Sequence, residues 1–161
     1  MAAIKGKAGN EHGPCYCTAL RKASRRMSQL YDSALAACDL KVTQRAILAQ
    51  LKRSGRLSVG ALAEVLVMDS GGLAHTLKPL QRDGFIELKA DPRDRRSRIV
   101  TLTALGRKKL KQSDAAWAAA QVGFEAAIGR SESTRLRTAL QELTSDRFAE
   151  TFDRAQPGTN R

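Results

Sequence analysis

The residues of this 161-residue chain best placed to do chemistry are hydrogen-bond donors and cations rather than nucleophiles. Ser70, Gly71, Gly72, His75, Thr76 and Lys78 crowd one short segment. If Leu73, Leu77 and Leu80 face inward, a 100° step per residue puts Gly71, His75, Lys78 and Arg82 on the opposite face. Such a face suits a DNA major groove, which is wide enough to admit a helix. The helix N-terminus would offer free N–H groups and positive dipole to a phosphate. Lys78 would meet phosphate or a guanine edge, His75 a base, and Thr76 a thymine methyl. An ordinary solvated helix would show the same face.

A second cluster follows. Arg93, Arg95, Arg96 and Arg98 surround a run of turn-forming residues, Ala90 to Ser97. Arginines on a narrow tip suit the minor groove, where A·T tracts deepen the negative potential. Asp94 is placed to orient a neighbouring arginine through a bidentate pair.

The composition agrees with a double-stranded DNA partner. Lys plus Arg exceed Asp plus Glu by 28 to 16, a formal charge of +12, which calls for a polyanion. Aromatics are only 4%, too few for a reader that stacks single-stranded bases. Hydrophobic residues make up 42%, too many for a disordered basic tail. No Gly-rich phosphate loop, His-Glu-x-x-His or nucleophile elbow is found, so the chain is expected to be neither an enzyme nor a cofactor carrier.

Three cysteines, an odd number, make no disulfide framework and suggest a reducing cytoplasm. Cys15 and Cys17 diverge on a helix; nearby Arg21, Lys22 and Arg25 would lower a thiol pKa and favour a redox role. His12, Cys15 and Cys17 match no strong zinc spacing, so no metal is expected. No apolar stretch has the length of a membrane span or a secretory signal.

Stepping outward, residues 18–38 carry Leu20, Met27, Leu30, Tyr31 and Ala34 at helical spacing, with Arg21, Lys22, Arg25 and Arg26 opposite. Three helix starts follow, each a polar cap inside a hydrophobic staple: Thr43, Ser58 and Asp69. Gly84 predicts a left-handed stop. Residues 85–89 and 98–102 then read as strands. A helix is expected from a Thr103 cap to about Ile128, and another, beyond Gly129 and Ser131, carries Leu136, Leu140, Leu143, Phe148 and Phe152.

This order predicts a mainly α fold with a small β-hairpin wing, a winged helix-turn-helix flanked by long dimerisation helices. The expected organisation is a loose arm over residues 1–14, one domain over 15–154 and a tail over 155–161. Within the domain the winged helix covers about 42–103, and the dimerisation helices about 15–38 and 103–154.

The stretches Leu57–Glu64, Met68-Asp69 and Leu77–Ile86 resemble the winged helix of the MarR family of transcriptional regulators. So do Asp94-Arg95-Arg96 and Leu102-Thr103-Ala104-Leu105-Gly106. The opening Cys15–Arg25 and Leu30-Tyr31-Asp32 are similar to one branch, so the resemblance spans about residues 15–150. It implies a homodimer joined by its terminal helices, with recognition helix and wing on a pseudo-palindrome of half-sites about one helical turn apart. It further implies a repressor released by a small effector, an anionic aromatic or lipophilic acid or an acyl thioester, or in other branches by oxidation of cysteine. The implied pocket is lined by Met27, Leu30, Tyr31, Ile47 and Trp117, with Arg25 or Arg26 for a carboxylate or phosphate. The same apolar side chains would serve equally as plain core. Family members often carry threonine or a basic residue where Ser70, Gly71, Gly72 and His75 stand, which bears on the operator rather than the fold.

Overall fold

A computed structural model of the chain describes residues 15–94 and 96–156. The elements run α1 (Tyr16–Leu35), α2 (Val42–Ser54), β1 (Arg56–Ser58), α3 (Val59–Val65), α4 (Ser70–Arg82), β2 (Ile86–Ala90) and β3 (Arg98–Leu102). Four further helices follow: α5 (Ala104–Gln112), α6 (Asp114–Ile128), α7 (Arg130–Leu143) and α8 (Asp146–Ala155). The fold is a winged helix carried on a helical stem.

One core serves the winged lobe. Ile47, Leu48 and Leu51 of α2 meet Leu62 of α3, Leu73, Leu77 and Leu80 of α4, and Val100 and Leu102 of β3. The predicted inward stripe of α4 is therefore the buried one. Gly84 stops α4 with φ 71, as expected of a left-handed position. Ser58 and Asp69 cap α3 and α4, accepting from Ala61 N–H and Gly72 N–H.

Thr43 caps nothing, contrary to expectation. α2 begins at Val42 behind a Lys41 cap, two residues earlier than a Thr43 cap would start it, and Asp32 of α1 reaches across to accept the Val42 N–H at 2.7 Å. Gln44 completes the start by accepting the Lys41 N–H. Helix α1 likewise ends at Leu35 rather than Cys38, and a 3-10 turn over Ala36–Cys38 leads to Asp39 at φ 47.

The hairpin of β2 and β3 belongs to a three-stranded antiparallel sheet in the order β1-β3-β2. Arg56, Leu57 and Ser58 pair with Thr101, Val100 and Ile99, in a strand too short to show in the sequence pattern. Thr103 caps α5 by accepting the Gly106 N–H at 3.0 Å. Its hydroxyl lies 2.7 Å from the Gly84 carbonyl, and its N–H donates to Phe85 O at 3.1 Å. A Cβ on Gly106 would stand 2.0 Å from Phe85 O, so only glycine fits where α5 leaves the sheet.

The long helix expected over 103–128 is two helices. Ser113, wholly buried, takes the turn between α5 and α6, and its hydroxyl donates to Leu110 O. The closing helix is also two, parted at Thr144 and restarted by the Ser145 cap on Phe148 N–H. α8 runs to Ala155, one residue into the expected tail.

The stem buries little. Leu20, Leu30, Val122, Ile128, Leu136, Leu140 and Phe152 are all exposed. No helix among the described residues is long and apolar enough to cross a membrane.

Candidate nucleic-acid interface

Helix α4 and the wing share one surface. A cleft of about 580 Å³ opens between them, lined by Lys78 and Gln81 of α4 and by Asp94, Arg96, Ser97 and Arg98 of the wing. Its floor includes Leu77 and Leu88. Three of the predicted contact residues, Lys78, Arg96 and Arg98, are thus brought together around one concavity of positive charge. Lys78, Arg96 and Arg98 are all exposed, and none has an ion-pair partner among the described residues. Arg82 does have one, Asp83, at 2.8 Å.

Ser70, Gly71 and His75 lie exposed along the outer face of α4. Thr76 is half-buried, and its hydroxyl donates to Gly72 O at 3.0 Å. With that proton engaged, the methyl is the group left for an apolar contact. The two glycines have a local reason. A Cβ on Gly72 would stand 2.8 Å from Asp69 Oδ2, and one on Gly71 3.2 Å from Oδ1. They leave room for the capping carboxylate that starts the helix. Pro79 lies inside α4 and brings no N–H to the His75 carbonyl four residues back. The buried leucine stripe carries the helix through this break.

The wing tip is ordered by two aspartates acting on backbone. Asp94 Oδ1 accepts the Arg96 N–H at 2.9 Å, and Asp91 Oδ1 accepts the Arg93 N–H at 2.9 Å. The bidentate guanidinium pair expected of Asp94 is not found among the described residues. The Asp94 contact that is seen is that of a turn-forming aspartate, which bonds the backbone two residues on. Arg93 is exposed but stands outside the cleft. Arg95 lies outside the described residues.

The residues expected around an effector separate into two groups. Met27, Tyr31 and Trp117 line a hollow of about 260 Å³ between α1, α2 and α6, together with Ser24 and Gln121. Met27, Leu30 and Tyr31 also face an apolar hollow of about 330 Å³ against Phe124 and Ile128 of α6. Arg25 lies apart, in a shallow groove with Leu20, Arg21 and Ser24. Arg26 is exposed and lines none of these spaces. Ile47 belongs to the winged core instead, fully buried. Burial raises the Tyr31 pKa, against a smaller opposing pull from Arg137.

Cys15 and Cys17 are exposed, and Cys38 is half-buried. The Cys15 thiol is held below its ordinary pKa by hydrogen bonds from the Thr18 side chain and then the Thr18 backbone. The arginines expected to act there are not among the causes.

Arg45 is a residue that sequence reasoning passes over. It is buried, donating to Ser113 and Asp114, with its guanidinium over the Trp117 ring. Its spacing three residues before buried Leu48 was the one available signal.

A capped, outward-facing second helix beside an arginine-tipped hairpin defines a winged helix-turn-helix protein. Residues 39–97 match the family model described as MarR family, a stretch that takes in α2 to the tip of the wing. The transcriptional activatory protein BadR of Rhodopseudomonas palustris is 39% identical over 71 residues, covering 42% of this chain and 41% of BadR. The organic hydroperoxide resistance transcriptional regulator of Bacillus subtilis is 32% identical over 90 residues, covering 56% of this chain and 61% of that protein. The chain thus spans less than two thirds of either relative. The M. tuberculosis transcriptional regulator MOSR, solved in complex with DNA, superposes with a TM-score of 0.67 at 29% identity. That match covers 80% of this chain and 97% of MOSR. These similar proteins are transcriptional regulators, not enzymes.

Proposed function

We propose that this chain is a sequence-specific DNA-binding transcriptional regulator acting in the cytoplasm as a homodimer. The observation that carries the reading is the shared basic cleft, in which Lys78 from the helix and Arg96 and Arg98 from the wing converge. Helix α4 enters the major groove, with Ser70, Gly71, Gly72, His75, Thr76 and Lys78 at the base edges and phosphates. The wing places Arg93, Arg95, Arg96 and Arg98 against the adjacent minor groove. The exposed apolar side chains of α1 and α6 to α8 are the surface on which two copies join, so residues 15–38 and 103–154 form the dimerisation region. Two α4 helices then meet a pseudo-palindrome. The regulator is a repressor released when a small aromatic acid or acyl thioester enters the hollows beside Tyr31 and Trp117.

One observation favours a second mode of release. Cys15 is exposed with a lowered thiol pKa, and the Bacillus subtilis relative is named for organic hydroperoxide resistance. Oxidation at Cys15 or Cys17 would then replace the ligand as signal.

The test is an anisotropy titration over a range of salt. The chain's own upstream intergenic DNA is compared with a scrambled duplex of equal length. A specific regulator prefers the first by about 10³-fold or more, with two subunits per site. Equal binding to both at every salt would make the protein a non-specific DNA coat and overturn the reading.

A further inference from the structure

Among the described residues a single ionic side chain is buried, and it lies on neither α4 nor the wing. Arg45 of α2 is 8% exposed. Its Nε donates to Ser113 Oγ at 3.0 Å, and its Nη2 donates to Asp114 Oδ1 at 2.9 Å. The guanidinium carbon stands 4.2 Å from the centre of the Trp117 ring. Trp117 meets Tyr31 of α1 edge-on, with ring centres 5.0 Å apart, and the Tyr31 hydroxyl donates to Gln121. One guanidinium therefore grips the lobe helix α2, the turn between α5 and α6, and the stem helix α6.

Stability alone does not call for this. Burying an ion costs several kcal/mol before its partners repay it, and packed apolar residues often hold as well or better. What the guanidinium adds is direction. Its donors form a rigid planar fork and its face stacks on a ring, so few relative orientations satisfy both. The fork is met by Ser113 and Asp114 and the face by Trp117, at and just beyond the point where the lobe's last helix turns into the stem. A small rotation there swings the whole winged lobe.

We propose that Arg45 is a positioning residue that sets the angle between winged lobe and stem, and through it the spacing of half-sites that the dimer accepts. The proposal rests on the dimeric DNA-binding reading above. Half-sites are separated by about 3.4 Å and a tenth of a turn per base pair, so a fixed lobe angle selects one spacing. A loosened lobe accepts several, because each lobe can adjust to its own half-site.

The test uses the full chain and two variants, Arg45→Lys and Asp114→Asn. The lysine keeps the charge but loses fork and stack. Asp114→Asn removes only the charge of a side chain that is 53% exposed, so the fold stands if Arg45→Lys fails. Circular dichroism and sedimentation check fold and dimer first. The probe is a duplex of about 30 bp recovered by the wild type from a random pool, then respaced by one inserted or deleted central base pair. A matching duplex carrying one half-site is the control. The wild type is expected to lose about tenfold or more on respacing, since simultaneous engagement fails. The variants are expected to lose less than about threefold, with half-site binding unchanged. The assignment is overturned if the variants keep the wild-type spacing preference, if the wild type has none, or if the variants lose half-site affinity instead. Failure of the wild type to recover any duplex would instead overturn the DNA-binding reading itself.

Discussion

Gly106→Ala adds one methyl group at the joint between wing and stem. The new carbon would stand 2.0 Å from Phe85 O and 2.7 Å from Leu102 Cδ1. A carbon–oxygen contact settles no closer than about 3.3 Å, so α5 must retreat by roughly 1.3 Å. The obstacle is backbone, which cannot turn aside as a side-chain tip can. Overpacking of this kind costs about 1–3 kcal/mol, and occasionally more. The retreat also pulls Thr103 from the Gly84 and Phe85 carbonyls, at about 1 kcal/mol for each bond lost. Alanine returns about 1 kcal/mol through helix propensity. The net expectation is a loss of about 2–4 kcal/mol, a large share of the 5–15 kcal/mol that holds a typical domain. Urea unfolding followed by circular dichroism measures it directly, as a lower midpoint at unchanged slope. A variant within about 0.5 kcal/mol of the wild type would refute the claim that this joint is rigid.

Three further perturbations follow from the same geometry. Val67, exposed in the turn between α3 and α4 at φ 51, holds a β-branched residue in the left-handed region. Val67→Gly should raise stability by about 0.5–1 kcal/mol in urea, after allowance for glycine's freer unfolded chain; a fall would deny the strain. Lys78→Ala and Arg96→Ala should each weaken operator binding by about 1–3 kcal/mol if they pair with base edges, and wild-type affinity in both would sink the docking geometry. Alkylation of Cys15 should rise with pH about a midpoint below that of an ordinary thiol, because the Thr18 hydrogen bonds stabilise its thiolate. Thr18→Val should move that midpoint upward, and no movement would remove Thr18 as the cause.

The winged helix was legible because its signals are local. A cap, a staple and a leucine stripe lie within a dozen residues for α4, and each matches an observed bond or buried side chain. What escaped depends on partners far along the chain. β1 is three residues long, too short for alternation to show, and exists because β3 pairs with it. Thr43 has the chemistry of a cap, but Asp32 took the role from another helix. Ser113 reads as one more polar residue in a helix until Arg45, 68 positions earlier, is found bonded to it. Type and spacing mark Lys78, Arg96 and Arg98 as candidate contacts, but their convergence on one cleft depends on the sheet. Arg25 carries the charge an anion would need, and it lines a groove with Leu20, Arg21 and Ser24, a position that its residue type alone does not reveal.

The strand order carries a mechanical consequence. Because β3 is central, held by β1 on one side and β2 on the other, the hairpin is a cantilever clamped along its inner edge. The clamp ends with the Ala90–Arg98 pair, and beyond it the tip is tied by Asp91 N–H to Ser97 O and the aspartate turns. A pull on Arg96 or Arg98 therefore acts first on β3, the strand paired on both sides, before it reaches the core. Lengthening or shortening the loop between 91 and 97 changes the reach of the arm while the fulcrum stays where it is.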